Sequence, residues 1–406
     1  MKYLYFGTIC NHDHYMEMMD SFRVKPSIAP FVFETALLKG MRENDADLEA
    51  ISFPSIPAFP KSRYIAWRCQ KETLDSGFST TWLGALNISG IKQLCQRFFS
   101  YVLLKKWLKK NRTEEKAVII YSAYQPVSKS VVTLCRKYGT KCYAIIPDLP
   151  RDMYNVARIG PVKKLLSKAY VCAAERVQGL FDGYIYLTEA MREVISPEKP
   201  YTVVEGIADG WRPEPLTWED KAPGFVIMYA GSLHRKYGIE NLVAAFRAYE
   251  RKDAQLWIFG SGDYQQEIRA CAEEDSRIRF FGRVSREQVL EYERRATVLV
   301  NVRDGNDEFT KYSFPSKTIE YMLSGTPVLM TKLPGVPEPY FRHVYCLENN
   351  RPETLHLAME ELGSMSAEQM LLFGAKAQQF IMEEKNARAQ AAKILQFIEN
   401  NGRYGN

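Results

Sequence analysis

The sequence lacks the features that mark several classes of protein. No apolar run approaches the roughly 20 residues that span a bilayer. The eight Cys form no C-x-x-C pair, and the five His form no H-x-x-x-H pair. We therefore expect no metal site, and the reduced thiols of a cytoplasmic protein rather than disulfides. The N-terminal residues MKYLYFGTIC have no long apolar region or small-residue cleavage site, which favours a first β-strand over a secretion signal.

The first half of the sequence also has little acidic charge. Residues 1–200 carry 29 Lys and Arg against 19 Asp and Glu, whereas residues 201–406 carry 25 against 29. A basic domain would suit a nucleic acid, but this one has no helix-turn-helix spacing, zinc finger, RNP-like aromatic box or Arg-rich tract. We therefore expect no nucleic-acid partner.

The positive charge is densest at residues 92–141, which contain 12 basic residues and only two acidic ones. Beside the lysines of this stretch, apolar residues recur at helical spacing: Ile91, Leu94, Cys95, Phe98 and Val102. A second basic amphipathic stretch contains Lys163, Lys164 and Lys168. One interpretation is that both are ordinary helices whose apolar stripes pack on the core. The other is that the N-terminal domain docks on an anionic membrane. The sequence leaves both open.

The length and the order of the apolar segments predict the fold class. A chain of 406 residues with 46% hydrophobic and 25% charged residues is typical of a globular protein with two domains. Buried-strand patterns alternate with helical ones, and the clearest strands are 117–121, 142–146, 184–187, 225–230, 256–259, 298–302 and 328–330. Strand, helix and strand in that order predict an α/β fold with parallel sheets.

The most informative stretch, YSFPSKTIEYMLSGTP at residues 312–327, separates two of these strands. Pro315 suits the first turn of a helix. The backbone N–H groups near Ser316 and the charge of Lys317 would then favour an anion at the positive end of the helix dipole. Glu320, on the next turn, suits hydrogen bonds from ribose hydroxyls. The stretch therefore predicts a site for a nucleotide diphosphate.

This stretch resembles the donor-binding signature of retaining, family 4 type glycosyltransferases, which have the GT-B architecture. The signature reads Glu-Ser-Phe-Gly-Leu, a few apolar residues, Glu-Ala and then small-Gly-x-Pro-Val. The matching positions here are Ser313, Phe314, Glu320, Gly325, Pro327 and Val328. Tyr312 replaces the first Glu, and Pro315-Ser316-Lys317 replaces Gly-Leu-x, a variant familiar among bacterial polysaccharide glycosyltransferases. The resemblance implies donor contacts from residues 313–317 and from Glu320.

The resemblance also implies a domain organisation, with two Rossmann-like domains facing across a cleft. We expect an N-terminal acceptor-binding domain at 1–200 and a C-terminal nucleotide-sugar-binding domain at 201–385. A closing helix at 386–406 would pack back on the first domain. The tail is expected to be helical throughout residues 367–398, and the Pro-rich segment 211–223 is expected to be the boundary or a surface loop.

A second phosphate-approach site is expected where strand 225–230 runs into a glycine turn and a helix. Donor contacts are expected from Gly231, Ser232 and Arg235. The family pattern has Arg and Lys where this chain has Ser232 and Tyr237, so Arg235, Lys236 and Lys317 are the candidates for the missing charge. The resemblance also implies that the backbone near Arg283 and Val284 reads the nucleotide base.

Arg303 follows the strand at 298–302, at its carboxyl end. Since ligands bind beyond the carboxyl ends of parallel strands, we expect Arg303 to contact the donor phosphate or sugar. A surface ion pair with Asp304 or Asp307 is the alternative.

Two candidates lie in the N-terminal domain. Asp148 follows the strand at 142–146 and is placed to meet a ligand, although a turn Asp that caps the next segment fits equally. His12 lies with Asp13 and His14 in a predicted polar loop after the first strand. It either reaches the acceptor or is only solvated.

By resemblance, the chain is expected to move a sugar from a uridine or guanosine diphosphate sugar to a glycan or polyprenyl-linked acceptor. The resemblance implies retention of configuration, no metal and no cofactor besides the donor. The catalytic candidates are Asp148, Lys317, Glu320, Arg303 and His12. We expect a cytoplasmic protein, placed at the inner face of the plasma membrane if its basic helices dock there.

Two alternatives remain open. Ser232, Tyr237 and Tyr312 at usual functional positions would also suit a catalytically degenerate partner subunit. A GT-B sugar-nucleotide epimerase is the other alternative, although a basic, aromatic N-terminal domain suits a lipid-linked acceptor better.

Overall fold

The structure is a computed structural model that describes residues 1–23, 28–123, 125–149, 171–208 and 213–403. The chain divides into two compact units. The first comprises Met1–Asp209 and Ala387–Asn406, and the second comprises Gly210–Asn386. Each unit is built on a largely parallel sheet with helices between its strands. The predicted α/β class is confirmed.

The strands follow the buried apolar runs of the sequence. Those of the first unit are β1 (Lys2–Gly7), β2 (Asp47–Ser52), β3 (Ala66–Trp67), β4 (Lys71–Thr73), β5 (Ser79–Trp82), β6 (Ala85–Leu86), β7 (Lys116–Tyr121), β8 (Lys141–Ile146), β9 (Gly183–Tyr186) and β10 (Tyr201–Val203). Those of the second are β11 (Phe225–Ser232), β12 (Ala254–Ser261), β13 (Ile278–Gly282), β14 (Val298–Asn301), β15 (Val328–Thr331) and β16 (Tyr345–Leu347).

The strand orders are those of doubly wound sheets. The first sheet has the order β10-β9-β8-β7-β1-β2-β5-β4, in which β4 runs antiparallel to β5, and β3 pairs separately with β6. The second sheet has the order β13-β12-β11-β14-β15-β16 and is parallel throughout. Each order reverses direction beside its first strand, which is where ligands bind in such sheets.

The helices cover both sheets. They are α1 (His12–Ser21), α2 (Ala29–Glu43), α3 (Ile91–Lys110), α4 (Gln125–Lys137), α5 (Met191–Ile195), α6 (Ile239–Ala248), α7 (Gln265–Glu274), α8 (Arg286–Arg295), α9 (Lys317–Leu323), α10 (Glu338–Phe341), α11 (Pro352–Ser364), α12 (Ala367–Glu384) and α13 (Ala387–Arg403). No helix among the described residues is both long enough and apolar enough to traverse a membrane.

The last helix, α13, belongs to the core of the first unit. Its fully buried Ala391, Ile394 and Ile398 share that core with residues of α2. The two helices approach closely at Gly40, where a Cβ atom would lie 1.9 Å from the backbone oxygen of Ala387. Any larger residue at this position would therefore push the two helices apart.

The sequence had indicated one continuous helix over residues 367–398, but the structure divides the tail into two helices. Helix α12 ends at Glu384, and α13 begins at Ala387. Asn386 lies between them, and its amide nitrogen donates to the carbonyl oxygens of Met382 and Glu383. This side chain satisfies carbonyls that have no partner at the end of a helix, so it stabilises the break.

The predicted loop at residues 12–14 was also wrong. His12, Asp13 and His14 form the first turn of α1. The side chain of Asn11 accepts a hydrogen bond from the Asp13 amide at 2.9 Å and so caps the helix. Another correction concerns the first sheet, because its last strand in sequence is β10 rather than the predicted strand at 184–187.

The apolar stripe of the first basic stretch does not face the core. The helix predicted there is α3, and Ile91, Leu94, Phe98 and Val102 on it are exposed. The ordinary interpretation of this stretch is therefore wrong for α3. The second basic stretch, with Lys163, Lys164 and Lys168, lies outside the described residues, as does the start of the segment 211–223.

Candidate functional site

The signature stretch forms the predicted strand, helix and strand in the second unit. Strand β14 pairs with β15 in parallel, and α9 connects them. The hydroxyl of Tyr321 on α9 accepts from the amide of Ala230 at 2.8 Å and donates to its carbonyl at 3.0 Å. Ala230 directly precedes Gly231 on β11. This pair of hydrogen bonds therefore fixes α9 at the end of β11 where the glycine turn begins.

The start of α9 differs from the prediction, because Pro315 precedes the helix, whose N-cap is Ser316. The amide of Thr318 donates to the carbonyl of Pro315 at 2.8 Å, and Ser316 has helical φ and ψ angles of −52° and −29°. Ser316 is exposed, whereas Phe314 is buried, with its ring centroid 5.4 Å from that of Tyr340. Ser313 is partly exposed beside them. The turn thus presents a polar surface while Phe314 anchors it.

The side chain of Lys317 lies between two carboxyl groups. Its Nζ lies 3.3 Å from Oε1 of Glu293, a wholly buried residue of α8, and it also pairs with Glu320. Arg286 of α8 lies 3.4 Å from the other oxygen of Glu320. About one third of the Lys317 side chain remains exposed. Two cations and two carboxyl groups are therefore combined in one cluster.

The charges in this cluster follow from burial and proximity. Burial, and then the negative charge of Glu320, raises the pKa of Glu293 well above its ordinary value. Burial opposes ionisation of Glu320 too, but the charge of Lys317 and hydrogen bonds from Lys317 and Glu293 lower its pKa. The pKa of Lys317 is raised by both carboxyls against the effect of burial. Of the two carboxyl groups, Glu293 therefore holds a proton more tightly, and Glu320 carries negative charge more readily.

The carboxyl ends of the neighbouring strands bring further predicted residues together. In the parallel register Ser232 pairs with Ser261, and Phe259 pairs with Gly282. Arg283, directly after β13, donates from Nε to Oγ of Ser261 at 2.6 Å. Gly231, Ser232, Arg283 and the partly exposed Val284 therefore lie at one edge of the sheet, where nucleotides bind in such folds.

Tyr237 organises two cations at this edge. The guanidinium of Arg303 lies 4.9 Å from the centre of the Tyr237 ring, and Nζ of Lys236 also lies 4.9 Å from it. Among the described residues, no carboxylate lies within ion-pair distance of Arg303. Burial lowers the pKa of Arg303, and the electrostatic contributions of Tyr237 and Tyr229 oppose this shift. The expected alternative, an ion pair with Asp304 or Asp307, is therefore not formed in the structure.

The turn around Tyr237 requires glycine at its end. Gly238 has a φ of 80°, in the left-handed region, and is the N-cap residue of helix α6. A Cβ atom there would lie 1.9 Å from the carbonyl oxygen of Val302, the residue before Arg303. The Tyr237 turn and the segment that carries Arg303 are therefore in direct contact.

Arg235 is engaged differently from the expectation of a phosphate contact. Its guanidinium pairs with Glu240 at 2.7 Å and with Glu267 at 2.6 Å, and it lies over the ring of Tyr264. Its backbone amide donates to Asp263 at 3.0 Å. These contacts neutralise Arg235 and hold the turn to α6 and α7. Lys236 and Arg303 are the better sources of the charge that the family signature has and this chain lacks.

Predicted residues of the first unit lie at the carboxyl edge of its own sheet. Asp148 is exposed two residues after β8, and His12 is exposed at the start of α1. The amide of His12 donates to Asp75 at 3.0 Å, and Nδ1 of His14 lies 3.0 Å from Glu72. The polar face of α1 is thus fixed by acidic side chains from the β4–β5 region.

A buried acid that the sequence did not reveal lies behind this edge. Glu34 of α2 is fully buried and accepts hydrogen bonds from the Tyr5 hydroxyl at 2.9 Å and from the Thr8 amide at 3.0 Å. The Thr8 hydroxyl also donates to it. A Cβ atom on Gly7 would lie 1.9 Å from the Glu34 carboxyl, so only glycine fits there. Burial raises the pKa of Glu34 to about 7, against hydrogen bonds from Thr8 and Tyr5.

Sequence reasoning missed Glu293, Arg286 and Glu34. Glu293 and Arg286 lie on a charged helix whose residues resemble any solvated surface helix, and Glu34 is a single acid on an otherwise apolar helix face. A weak signal existed for Glu34, since the apolar residues Phe33, Leu37 and Leu38 beside it follow helical spacing. Within the described residues, no cluster of three or more His, Cys, Asp or Glu side chains is arranged to hold a metal ion.

Comparison with known proteins gives the class to which these features belong. Residues 224–364 match the family model described as glycosyl transferases group 1. This range contains β11 to α11 and therefore the candidate donor site. No functionally curated protein matches the chain.

Solved structures resemble the chain over its full length. Anabaena Alr3699/HepE in complex with UDP has a TM-score of 0.60 and 13% identity, covering 98% of this chain and 100% of that one. A lipopolysaccharide outer core galactosyltransferase, WaaB, has a TM-score of 0.58 and 14% identity, covering 98% and 99%. The α,α-trehalose 6-phosphate synthase of Burkholderia multivorans has a TM-score of 0.63 and 9% identity, covering 100% and 99%.

The fold is thus that of GT-B glycosyltransferases, and residues 224–364 of the second unit match the glycosyl transferases group 1 model. The chain is accordingly a glycosyltransferase in class, as the signature stretch had indicated.

Proposed function

We propose that this protein transfers a sugar from a UDP-sugar to a glycan or polyprenyl-linked acceptor, with retention of configuration and without a metal ion. The observation that carries the proposal is the pair of cations held on Tyr237 at the carboxyl edge of the second sheet. Arg303 has no carboxylate partner among the described residues, so its charge is available to a ligand. A UDP or UDP-glucose complex of the similar HepE supports a uridine nucleotide as the donor.

The donor would bind with its diphosphate on the Arg303 and Lys236 charges and on the backbone turn at Ser316. Negative charge grows on the diphosphate as the bond from sugar C1 to oxygen breaks, and preorganised cations stabilise it. These cations would supply the charge stabilisation that a metal ion supplies in a metal-dependent transferase. Glu320, already ionised and held by Lys317 and Arg286, would accept hydrogen bonds from the ribose hydroxyls.

The transfer itself would join the acceptor oxygen to C1 on the face that the diphosphate leaves. The acceptor hydroxyl would give its proton to a leaving phosphate oxygen, so that UDP and the glycosylated acceptor are the products. Asp148 and His12 are the candidates for binding the acceptor, because both are exposed at the carboxyl edge of the first sheet.

A variant at Arg303 tests the donor site. A ligand at 100 times its dissociation constant stabilises a protein by about 2.7 kcal/mol, which a thermal shift detects. We expect UDP to stabilise the wild type and Arg303→Met to weaken UDP binding by roughly 10- to 100-fold, since hydrogen bonds to charged groups contribute about 1.5–3 kcal/mol. Arg247→Met is the control, because Arg247 pairs with Glu274 on the surface. Equal shifts in all three proteins would refute the proposed site.

A degenerate partner subunit is the second candidate, and the engaged charges of Lys317 and Arg235 favour it. Lys317 pairs with the carboxylate of Glu320, and Arg235 pairs with that of Glu240. Release of UDP from a UDP-sugar in the presence of acceptor separates the two candidates. Turnover that Arg303→Met abolishes supports the transferase, whereas UDP binding without any release supports the partner subunit.

A further inference from the structure

Helix α3 has its apolar and polar faces reversed along its first three turns. The α3 outer face, defined here as Ile91, Leu94, Phe98, Tyr101 and Val102, is exposed to solvent. Leu94 is 67% exposed and Phe98 is 62% exposed. The polar residues Gln96 and Ser100 of the same turns are instead buried against the protein. A surface helix ordinarily has the opposite arrangement.

The orientation of α3 is fixed by its inner face. Leu104 and Leu108 are fully buried, and α3 packs on α4 and β6. Ser130 of α4 donates from its hydroxyl to the carbonyl of Arg97 at 3.0 Å, and Ser100 donates to the same carbonyl at 2.9 Å. Rotating the helix to bury the outer face would break the hydrogen bond from Ser130 and expose both leucines. The apolar face is therefore a stable outward surface.

The exposed apolar surface extends beyond the helix. Leu86 and Ile88, just before α3, are 49% and 48% exposed, although Asn87 between them is buried. Phe59 donates from its amide to the Asn87 carbonyl at 2.9 Å, and the Asn87 amide donates to the Ile65 carbonyl at 2.7 Å. Phe59 and Ile65 are themselves 50% and 59% exposed. Exposed apolar side chains concentrated in one part of the chain are typical of an interaction site.

The charge around this surface has one sign. Helix α3 contains six Lys and Arg and no Asp or Glu. Lys106, Lys109 and Lys110 are exposed at its C-terminal end, and Lys105 lies 5.9 Å from the ring of Tyr101. When apolar residues of a helix insert into a membrane interface, long basic side chains beside them can reach the lipid phosphates.

We propose that the α3 outer face docks on an anionic phospholipid bilayer, with its apolar residues in the interface and its lysines on the headgroups. A second copy of the chain suits this surface poorly, because a symmetric contact would bring two strongly positive helices together. A nucleic acid would pair the lysines but leave Leu94 and Phe98 without an apolar environment. The docking depends on the proposed function in one respect, because it would give the protein access to a lipid-linked acceptor. Binding to vesicles itself requires no sugar transfer.

Vesicle flotation of the full-length protein tests the docking. We expect the wild type to float with vesicles of phosphatidylcholine and phosphatidylglycerol in equal parts, and not with phosphatidylcholine alone. Leu94→Glu/Phe98→Glu should weaken binding by more than about tenfold. The matched control is Leu357→Glu on α11, because Leu357 is 63% exposed and lies in the other unit. Lys106→Gln and Lys109→Gln should each weaken binding by about fivefold.

Several outcomes would overturn the docking. One is failure of the wild type to bind anionic vesicles at low salt. Another is unchanged binding of Leu94→Glu/Phe98→Glu. If that variant instead changes the molecular mass in solution, the surface joins two copies of the chain. The UDP-induced thermal shift, measured on the same variants, is expected to equal that of the wild type. Loss of vesicle binding with an intact UDP shift separates this inference from the proposed donor site.

Discussion

Replacing Glu34 by Gln should remove a pH dependence from the stability of the first unit. Glu34 is fully buried, and its carboxyl holds the Thr8 amide and hydroxyl just after β1. Its folded-state pKa of about 7 lies above the ordinary value of 4.5. Gln is uncharged at every pH and has nearly the shape of the protonated acid, so it isolates the effect of ionisation.

The sign follows from proton uptake. Between pH 4.5 and 7 the unfolded chain ionises Glu34, whereas the folded protein keeps it protonated. Folding must then take up a proton, so this group makes the protein less stable as pH rises through that window. A difference of about 2.5 pKa units corresponds to on the order of 3 kcal/mol above pH 7. Below pH 4.5 the contribution vanishes.

Thermal unfolding from pH 4.5 to pH 8 measures the effect. A loss of about 3 kcal/mol lowers the Tm of a unit of this size by roughly 6–12 °C. We expect the Tm of Glu34→Gln minus the Tm of the wild type to increase by this amount from pH 4.5 to pH 8. Glu43→Gln is the control, since Glu43 is an exposed acid on the same helix. If the Tm difference between Glu34→Gln and the wild type stays constant with pH, the argument is wrong.

Four further substitutions have definite expected outcomes. Lys317→Met should destabilise the second unit in urea unfolding by on the order of 2 kcal/mol. This is less than for a fully buried pair, because the Lys317 side chain is partly exposed. Glu293→Gln should have little effect on the same measurement at pH 7. Gly238→Ala should lower stability by roughly 1–3 kcal/mol, since a Cβ would strike the carbonyl of Val302 at a left-handed φ, and an unchanged Tm would contradict this. Tyr237→Lys should weaken the UDP-induced thermal shift, and a stronger shift would show that the ring is not needed.

The strands and the fold class could be predicted because they depend on local pattern. A parallel sheet buried on both faces needs continuous apolar runs, and those at 117–121, 225–230 and 298–302 became β7, β11 and β14. The start of α1 was missed because its signal is a single cap, Asn11, in a polar segment. Helical spacing along α3 correctly indicated a helix but carries no information on which face meets the protein. That choice depends on partners such as Ser130, distant in the sequence.

The sequence indicated which residues belong to the candidate site but not which charged groups pair with one another. The signature stretch located the turn at Ser316, and the strand pattern located Arg303. Which carboxyl would neutralise which cation could not be predicted, since Glu293 lies 24 positions before Lys317 on another helix. The same holds for Arg235, whose partner Glu267 belongs to α7.

The departure from the family signature at Tyr237 is connected to neighbouring cations in the structure, and this connection argues against the degenerate alternative. Tyr237 stands where the family has Lys, yet its ring holds Lys236 and Arg303 at equal distances of 4.9 Å. A lysine at this position would add a third positive charge beside two others and remove the surface on which they lie. Gly238, which allows the turn, contacts the residue next to Arg303. Gly238 is needed for the turn itself, but an arginine without a carboxylate partner among the described residues, held against an aromatic ring, suits the diphosphate site that we propose.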